Sequence, residues 1–209
     1  MKIIIPARRG SKGLPFKNRK LFKHTADIIP ISLYENVYVV TDDKKIAEAA
    51  DSYEFNIVDR PRKVSNDLAS TKSLIEYFLS EVKCKKNEPL IILYLTYPER
   101  KWDHVVKALK FFNKKKPESM LCKKEIEWTP FLVLKEEDND KGSQLFYHEL
   151  YRRQDYPKCF EISHYISILM PDHINKLNDN LYNKDTVFMP IDNVIDVDTK
   201  KDLSDFLNG

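Results

Sequence analysis

The sequence predicts an α/β fold built on a mostly parallel sheet. Three observations carry that expectation. Ile3-Ile4-Ile5, Val37-Tyr38-Val39-Val40 and Leu90 to Leu95 are short, continuously apolar runs, the pattern of strands buried on both faces. Segments with apolar residues at helical spacing separate them, and the strand-helix-strand spacing from Val37 to Val58 is that of a βαβ unit, which requires parallel strands. A chain of 209 residues, 42% hydrophobic and 32% charged, is long enough for one proper core.

In chain order, Ile3-Ile4-Ile5 is a β-branched central strand ended by Pro6. Between Leu21 and Asn36 the pattern is weak; Asp27 to Tyr34 could form one helical turn, and Pro30 forbids a long helix. Val37 to Val40 is the second strand. Thr41-Asp42-Asp43 caps a helix reaching about Tyr53, with Ile46, Ala47, Ala49 and Ala50 on its apolar side. Phe55 to Val58 is the third strand. A polar loop from Asp59 to Thr71 leads into a helix over about Lys72 to Val82, with Leu74, Ile75, Phe78 and Leu79 inward. Leu90 to Leu95 is a central strand, Trp102 to Lys114 a helix, and Ser119 to Cys122 a short strand. From Glu125 to Tyr156 periodicity decays: Phe131 to Leu134 reads as a strand and Lys135 to Ser143 as a charged turn. His164 to Leu169 and Thr186 to Pro190 are strands, and a last helix runs from Thr199 to Leu207. The chain reads as one domain over 1–209, with a β-rich excursion at 125–170.

Charge is unevenly placed. Net charge is +3, yet Arg8, Arg9, Lys12, Lys17, Arg19 and Lys20 fall in one stretch with no acid before Asp27. Cations focused at one point suit a small anionic ligand; a nucleic acid would want a basic stripe. Three widely spaced cysteines provide neither a disulfide framework nor metal-ligand spacing. No apolar run approaches the roughly 20 residues of a membrane span, and Met1 to Pro6 is too short for a secretory signal, so the expected location is cytoplasmic, away from the membrane.

The stretch Pro6-Ala7-Arg8-Arg9-Gly10-Ser11-Lys12-Gly13-Leu14-Pro15-Phe16-Lys17-Asn18 follows the first strand and holds two of the four glycines. Glycines allow close backbone approach to a ligand, and cations neutralise a polyanion, which is how phosphate sites form at the carboxyl ends of parallel strands. Such a turn can also be a plain solvated loop, and its spacing fits neither the Walker nor the dinucleotide pattern. Near the C-terminus Asp196 and Asp198, two apart, point to one face of an extended chain, a hard-oxygen pair suited to magnesium. Alternatively, Asp198 or Thr199 caps the last helix, with Thr199 and Asp202 approximating a capping box.

Ala7 to Asn18 closely resembles the signature loop of the CMP-N-acylneuraminate synthetases, Ala-Arg-x-x-Ser-Lys-Gly-(Leu/Ile)-Pro-x-Lys-Asn. Ile195-Asp196-Val197-Asp198-Thr199-Lys200-Lys201-Asp202-Leu203 resembles the same family's Ile-Asp-Ile-Asp-Thr-x-x-Asp-Leu. Arg60-Pro61 with Ser65 to Thr71, and Arg153-Gln154-Asp155-Tyr156-Pro157, resemble two further segments of it. The resemblance implies a three-layer α/β/α, Rossmann-like nucleotidyltransferase fold and a reaction in which CMP passes from CTP to an acidic 2-keto sugar with release of pyrophosphate. It implies that Arg8, Ser11, Lys12, Lys17, Asn18, Arg60 and Thr71 bind the nucleotide, with Lys17, Arg8 and Asp198 catalytic. It further implies that Asp196 and Asp198 hold Mg²⁺, that Arg153 meets the acceptor, and that the excursion forms a homodimer.

The chain departs from that pattern on the acceptor side. Tyr94 stands where the family has a sugar-contacting glutamine, so Tyr94 becomes the candidate acceptor contact, and Ser163 to Ser167 replaces Asn-Gly-Ala-Ile-Tyr. His164 reads either as a substrate contact or as a half-buried strand residue. The segment after Asn18 is short for the family's first crossover helix. Two alternatives stay open: a GT-A-type glycosyltransferase, which also uses an Asp-x-Asp metal site, and a non-catalytic CTP- or CMP-binding protein.

Overall fold

The first strand, β1 (Lys2–Ala7), lies inside a seven-stranded sheet because its side chains are apolar on both faces. The structure, a computed structural model, describes residues 1–10, 13–65 and 69–208. After β1 come α1 (Lys17–Ala26), β2 (Val37–Thr41), α2 (Lys44–Ser52), β3 (Asn56–Asp59), α3 (Arg62–Ser65), α4 (Thr71–Glu81), β4 (Leu90–Ile92), α5 (Trp102–Lys115) and β5 (Ser119–Glu125). A hairpin of β6 (Leu134–Glu137) and β7 (Lys141–Gln144) precedes β8 (Phe160–Leu169), β9 (Val187–Pro190) and α6 (Lys200–Asn208). Sheet order is β3-β2-β1-β4-β8-β5-β9. The strands β1 to β4 pair in parallel, as do β5 and β9, while β8 runs antiparallel between β4 and β5.

Alternation along β1 creates the layers. Ile3, Ile5 and Ala7 face a core shared with Leu21 and Phe22 of α1, Ile46 and Ala50 of α2, and Val105, Ala108 and Phe112 of α5. Ile4 faces the other way, onto Leu74, Ile75 and Phe78 of α4 and Ile174 and Leu177 beyond β8. Successive strand side chains point to opposite faces, so one apolar run serves two cores. The architecture is thus α/β/α, with the loop after β1 at the carboxyl end of a central strand.

Four expectations change. The weak region after Asn18 contains α1, whose buried face is Leu21, Phe22, Thr25 and Ala26; its start carries no side-chain cap and Phe16 sits at φ 54, so the usual start signal is missing. Leu90 to Leu95 is not one strand: pairing ends at Ile92, and Leu93 and Leu95 stay buried in the turn that follows. Phe131 to Leu134 begins as a 3-10 turn, Pro130–Leu132, because Thr129 caps it and Pro130 occupies its first position. The charged turn is the β6–β7 hairpin, mostly exposed along both strands, so it lacks hydrophobic alternation. In addition β8 belongs to the main sheet, so the segment outside that sheet spans about residues 126–159, packed on its own cluster of Phe131, Phe146, His148 and Tyr156.

Candidate active site

The carboxyl ends of β1 and β4 open onto a cleft of about 240 Å³ lined by Arg8, Lys17, Asn18, Arg60, Thr71 and Tyr94, among others. These residues come from three separate segments of the sequence, and the fold brings them to one place. Ser11 and Lys12 lie outside the described residues.

Local structure explains each placement. Thr41 donates its hydroxyl to Ala7 O at 2.5 Å, tying the exit of β1 to β2, and Asn18 Nδ2 donates to Arg8 O at 2.8 Å, folding the start of α1 back over that exit. The N-terminus of α1 therefore faces the cleft, where its dipole favours an anion. Arg60 is braced by its Nε donating to Val64 O at 2.8 Å. Desolvation lowers its pKa and the nearby Arg8 adds to this, while Asp42 opposes both. Ser70, not Thr71, caps α4 by accepting from Ser73 N at 3.1 Å. Thr71 is thereby left to the cleft, where the Tyr94 hydroxyl donates to its Oγ1 at 3.2 Å. Burial pushes the Tyr94 phenol up to about 12.

Lys17 carries the link to the C-terminal segment. It is only 8% exposed, and its Nζ reaches Asp198 Oδ1 at 2.6 Å across 181 residues of sequence. Gly13 makes the approach possible, since a Cβ there would stand 2.4 Å from Asp198 O. The capping alternative is resolved without Asp198's carboxylate. Asp202 Oδ2 accepts from Thr199 N at 2.7 Å and Asp198 N at 2.9 Å, and Asp202 N donates to Thr199 Oγ1. This reciprocal box satisfies the start of α6 and leaves the Asp198 side chain to Lys17.

Asp196 lies against Thr96 and Tyr97. Desolvation raises its carboxyl above the usual range and Asp198 pushes the same way, whereas the hydroxyls of Thr96 and Tyr97 and the charge of Lys17 hold it down. Among the described residues no three His, Cys, Asp or Glu side chains converge as a metal site. Two hard carboxylates beside an anion cleft nevertheless fit Mg²⁺, which keeps waters and takes remaining ligands from substrate phosphates.

Sequence reasoning missed the support behind Asp196. Val197 N donates to Thr96 O at 2.8 Å and Ile195 N to Glu99 Oε2 at 3.1 Å, so the turn after β4 grips the segment on both sides of Asp196. Beneath that turn Arg100, 2% exposed, donates from Nε to Tyr165 O at 2.9 Å and from Nη2 to Tyr94 O at 2.7 Å. Burial brings its pKa down to about 10. The signal available was a lone arginine after an apolar strand, which composition reads as surface. Arg19 also differs from its neighbours in the basic stretch: it is committed to buried Asp43 at 2.7 Å. Arg153 is not brought to the cleft. It lines a separate cavity of about 650 Å³ in the excursion, with Trp128, Leu132 and Tyr156.

Residues 2–96 match the family model described as Cytidylyltransferase, and the chain is 30% identical over 170 residues to an N-acylneuraminate cytidylyltransferase of Streptococcus agalactiae serotype V. Over residues 2–96 the chain is thus similar to the cytidylyltransferases. The alignment covers 73% of this chain but 39% of that relative, so the chain spans well under half the length of the curated protein it matches. A second N-acylneuraminate cytidylyltransferase, from Escherichia coli O18:K1:H7, is 33% identical over 53% of this chain and 27% of its own length. A Campylobacter coli post-translational flagellin modification protein B is 26% identical, covering 95% of this chain and 89% of its own. Among solved structures, a CMP:2-keto-3-deoxy-manno-octonic acid synthetase complexed with CTP superposes with TM-score 0.67 at 16% identity, covering 98% and 95% of the two chains. The 4-diphosphocytidyl-2C-methyl-D-erythritol synthase of Anaerococcus prevotii gives 0.58 at 11% identity, covering 100% and 99%. These two establish that the fold is shared with those two synthases. The family match ends at Thr96, so Arg8 to Tyr94 fall inside it and Arg153, Asp196 and Asp198 outside.

Among the described residues no helix is long and apolar enough to cross a membrane.

Proposed function

We propose that this chain is a CTP-dependent nucleotidyltransferase that transfers CMP to an acidic 2-keto sugar and releases pyrophosphate. The observation carrying the reading is the convergence of Arg8, Lys17, Asn18, Arg60 and Thr71 on one cleft, with Asp198 on Lys17 at its edge. The acceptor's hydroxyl oxygen attacks the α-phosphorus of CTP. The bond to the bridging oxygen breaks, and pyrophosphate leaves with the electron pair. Arg8 and Lys17, with Ser11 and Lys12 of the same loop, face the charge that grows on the leaving phosphates. Arg60 and Thr71 hold the cytidine end, and Asn18 the nucleoside.

Asp196 and Asp198 would hold Mg²⁺, which when bound supplies charge neutralisation at the α-phosphate and lowers the acceptor hydroxyl's pKa. Asp198, with its side chain 69% exposed, can receive the hydroxyl's proton. Tyr94, edge-on to His164 at 5.5 Å and hydrogen-bonded to Thr71 at 3.2 Å, lines the same cleft.

A homodimer accounts for the excursion. Trp128, Leu132, Leu134, Phe146 and Tyr147 are all at least half exposed there, an apolar surface of the kind that marks an interface. In a dimer Arg153 would serve the partner's acceptor pocket, which explains its distance from its own. The whole chain then acts as one cytoplasmic catalytic domain.

The test is a pyrophosphate-release screen with CTP, Mg²⁺ and a panel of 2-keto sugar acids. Release with at least one acceptor, abolished in Lys17→Ala, is the expected result. Consumption of a nucleotide-sugar without pyrophosphate would point to a glycosyltransferase, and tight CTP binding without turnover to a binding protein.

A further inference from the structure

Lys17 is a poor anion receptor in the state shown. Its Nζ already sits on Asp198, and Asp196 feels its charge as well. Among the described residues, Lys17 between these two carboxylates leaves the three groups with a net charge of minus one. A triphosphate arriving alone meets that negative corner, and to engage Lys17 it must strand Asp198 next to its own phosphates. A dication arriving alone frees Lys17, a nearly buried ammonium, beside a second positive charge. When both arrive, the dication brings the corner to plus one against the incoming phosphates, Asp198 turns to the metal, and Lys17 turns to the phosphates.

We propose that the Lys17–Asp198 pair is a latch that makes nucleotide recognition conditional on the metal, so that Asp198 selects the metal complex of CTP against the free nucleotide. This rests on the nucleotide reading of the cleft and adds a coupling to it. Exchange of partners is favourable only when both ligands are present, which is positive linkage between two sites. The pair is well placed for the role: Lys17 is held by α1 and largely covered, while the Asp198 side chain is 69% exposed and can turn away.

The experiment is isothermal titration of CTP into the full chain, in EDTA and in Mg²⁺, for wild type, Asp198→Asn, Asp198→Ala, Lys17→Met and Lys17→Met with Asp198→Asn. Asp198 is exposed and its carboxylate has no part in capping α6, so its variants retain the fold. Both Asp198 variants should bind metal-free CTP about 5- to 50-fold more tightly than wild type, within the usual range of site-to-site coupling. The further gain on adding Mg²⁺ should shrink in them. In the Lys17→Met background the gain from Asp198→Asn should fall below about twofold, because the freed lysine, not the lost carboxylate, provides it. The latch is overturned if wild type binds CTP with Mg²⁺ but the Asp198 variants bind metal-free CTP no better than wild type, or if their gain survives in Lys17→Met. Wild type that binds no CTP in either buffer would sink the nucleotide reading itself, and the latch with it.

Discussion

Gly13→Ala probes the seam between the loop after β1 and the Asp196–Asp198 segment. A Cβ at residue 13 would lie 2.4 Å from Asp198 O, and ordinary contact begins near 3.4 Å. The two backbones must therefore part by about 1 Å, and the obstacle is a carbonyl that no rotamer change can move. Overpacking of this kind costs about 1–3 kcal/mol, or roughly 2–12 °C of melting temperature for a domain of this size. The larger effect should be functional. Displacing Asp198 by about 1 Å relative to Lys17 is the scale of error that costs about 10²-fold in turnover. Gly10→Ala is the control for melting alone: it lines the cleft, but among the described residues nothing stands within 4 Å of its added Cβ. The assays are thermal melting of both variants and pyrophosphate release under saturating CTP. A Gly13→Ala protein that turns over like wild type would refute the claim that this close approach sets the catalytic geometry.

Other perturbations separate roles that the sequence left entangled. Asp202→Ala should lower the melting temperature by removing the reciprocal cap of α6, whereas Asp198→Asn should cost about 10²–10³ in turnover with little change in melting. Equal stability losses in the two would undo the separation. Arg100→Met strips two hydrogen bonds from the carbonyls of Tyr94 and Tyr165, and should lower stability by about 2–4 kcal/mol even though it removes a buried charge. Unchanged melting would mean that turn is held by other contacts. For pH, burial lowers the pKa of His164 and of His104 below that of a free histidine. The unfolded chain then binds protons first, so stability is full above about pH 6.5 and falls as acid carries the pH down toward the folded pKa values. Melting temperature should drop between pH 7 and 5, and His164→Phe should flatten the drop; an unaltered slope would contradict it.

The central half of the sheet was legible because β1, β2 and β4 are apolar on both faces and so announce burial without ambiguity. Likewise Arg8, Lys17, Asn18, Arg60 and Thr71 belong to recognisable segments, and they converge. What stayed hidden depends on tertiary contacts. Helix α1 begins without a capping side chain, so only its packing on β1 and α2 defines it. The hairpin of β6 and β7 buries neither face, and therefore leaves no alternation to read. Whether Asp198 capped a helix or faced the cleft could not be decided from spacing, because Thr199 and Asp202 satisfy the same pattern and only the 2.6 Å contact with Lys17 tells them apart. Arg100 looks like any surface arginine until the fold encloses it beneath the turn that positions Thr96 and Tyr97.

The most direct test is a crystal structure of the chain with CTP and Mg²⁺. The account predicts triphosphate density against Arg8 and Lys17, the base toward Arg60 and Thr71, and Asp198 no longer seated on Lys17. Nucleotide bound elsewhere, with that cleft vacant and the Lys17–Asp198 pair intact at saturating CTP, would contradict it.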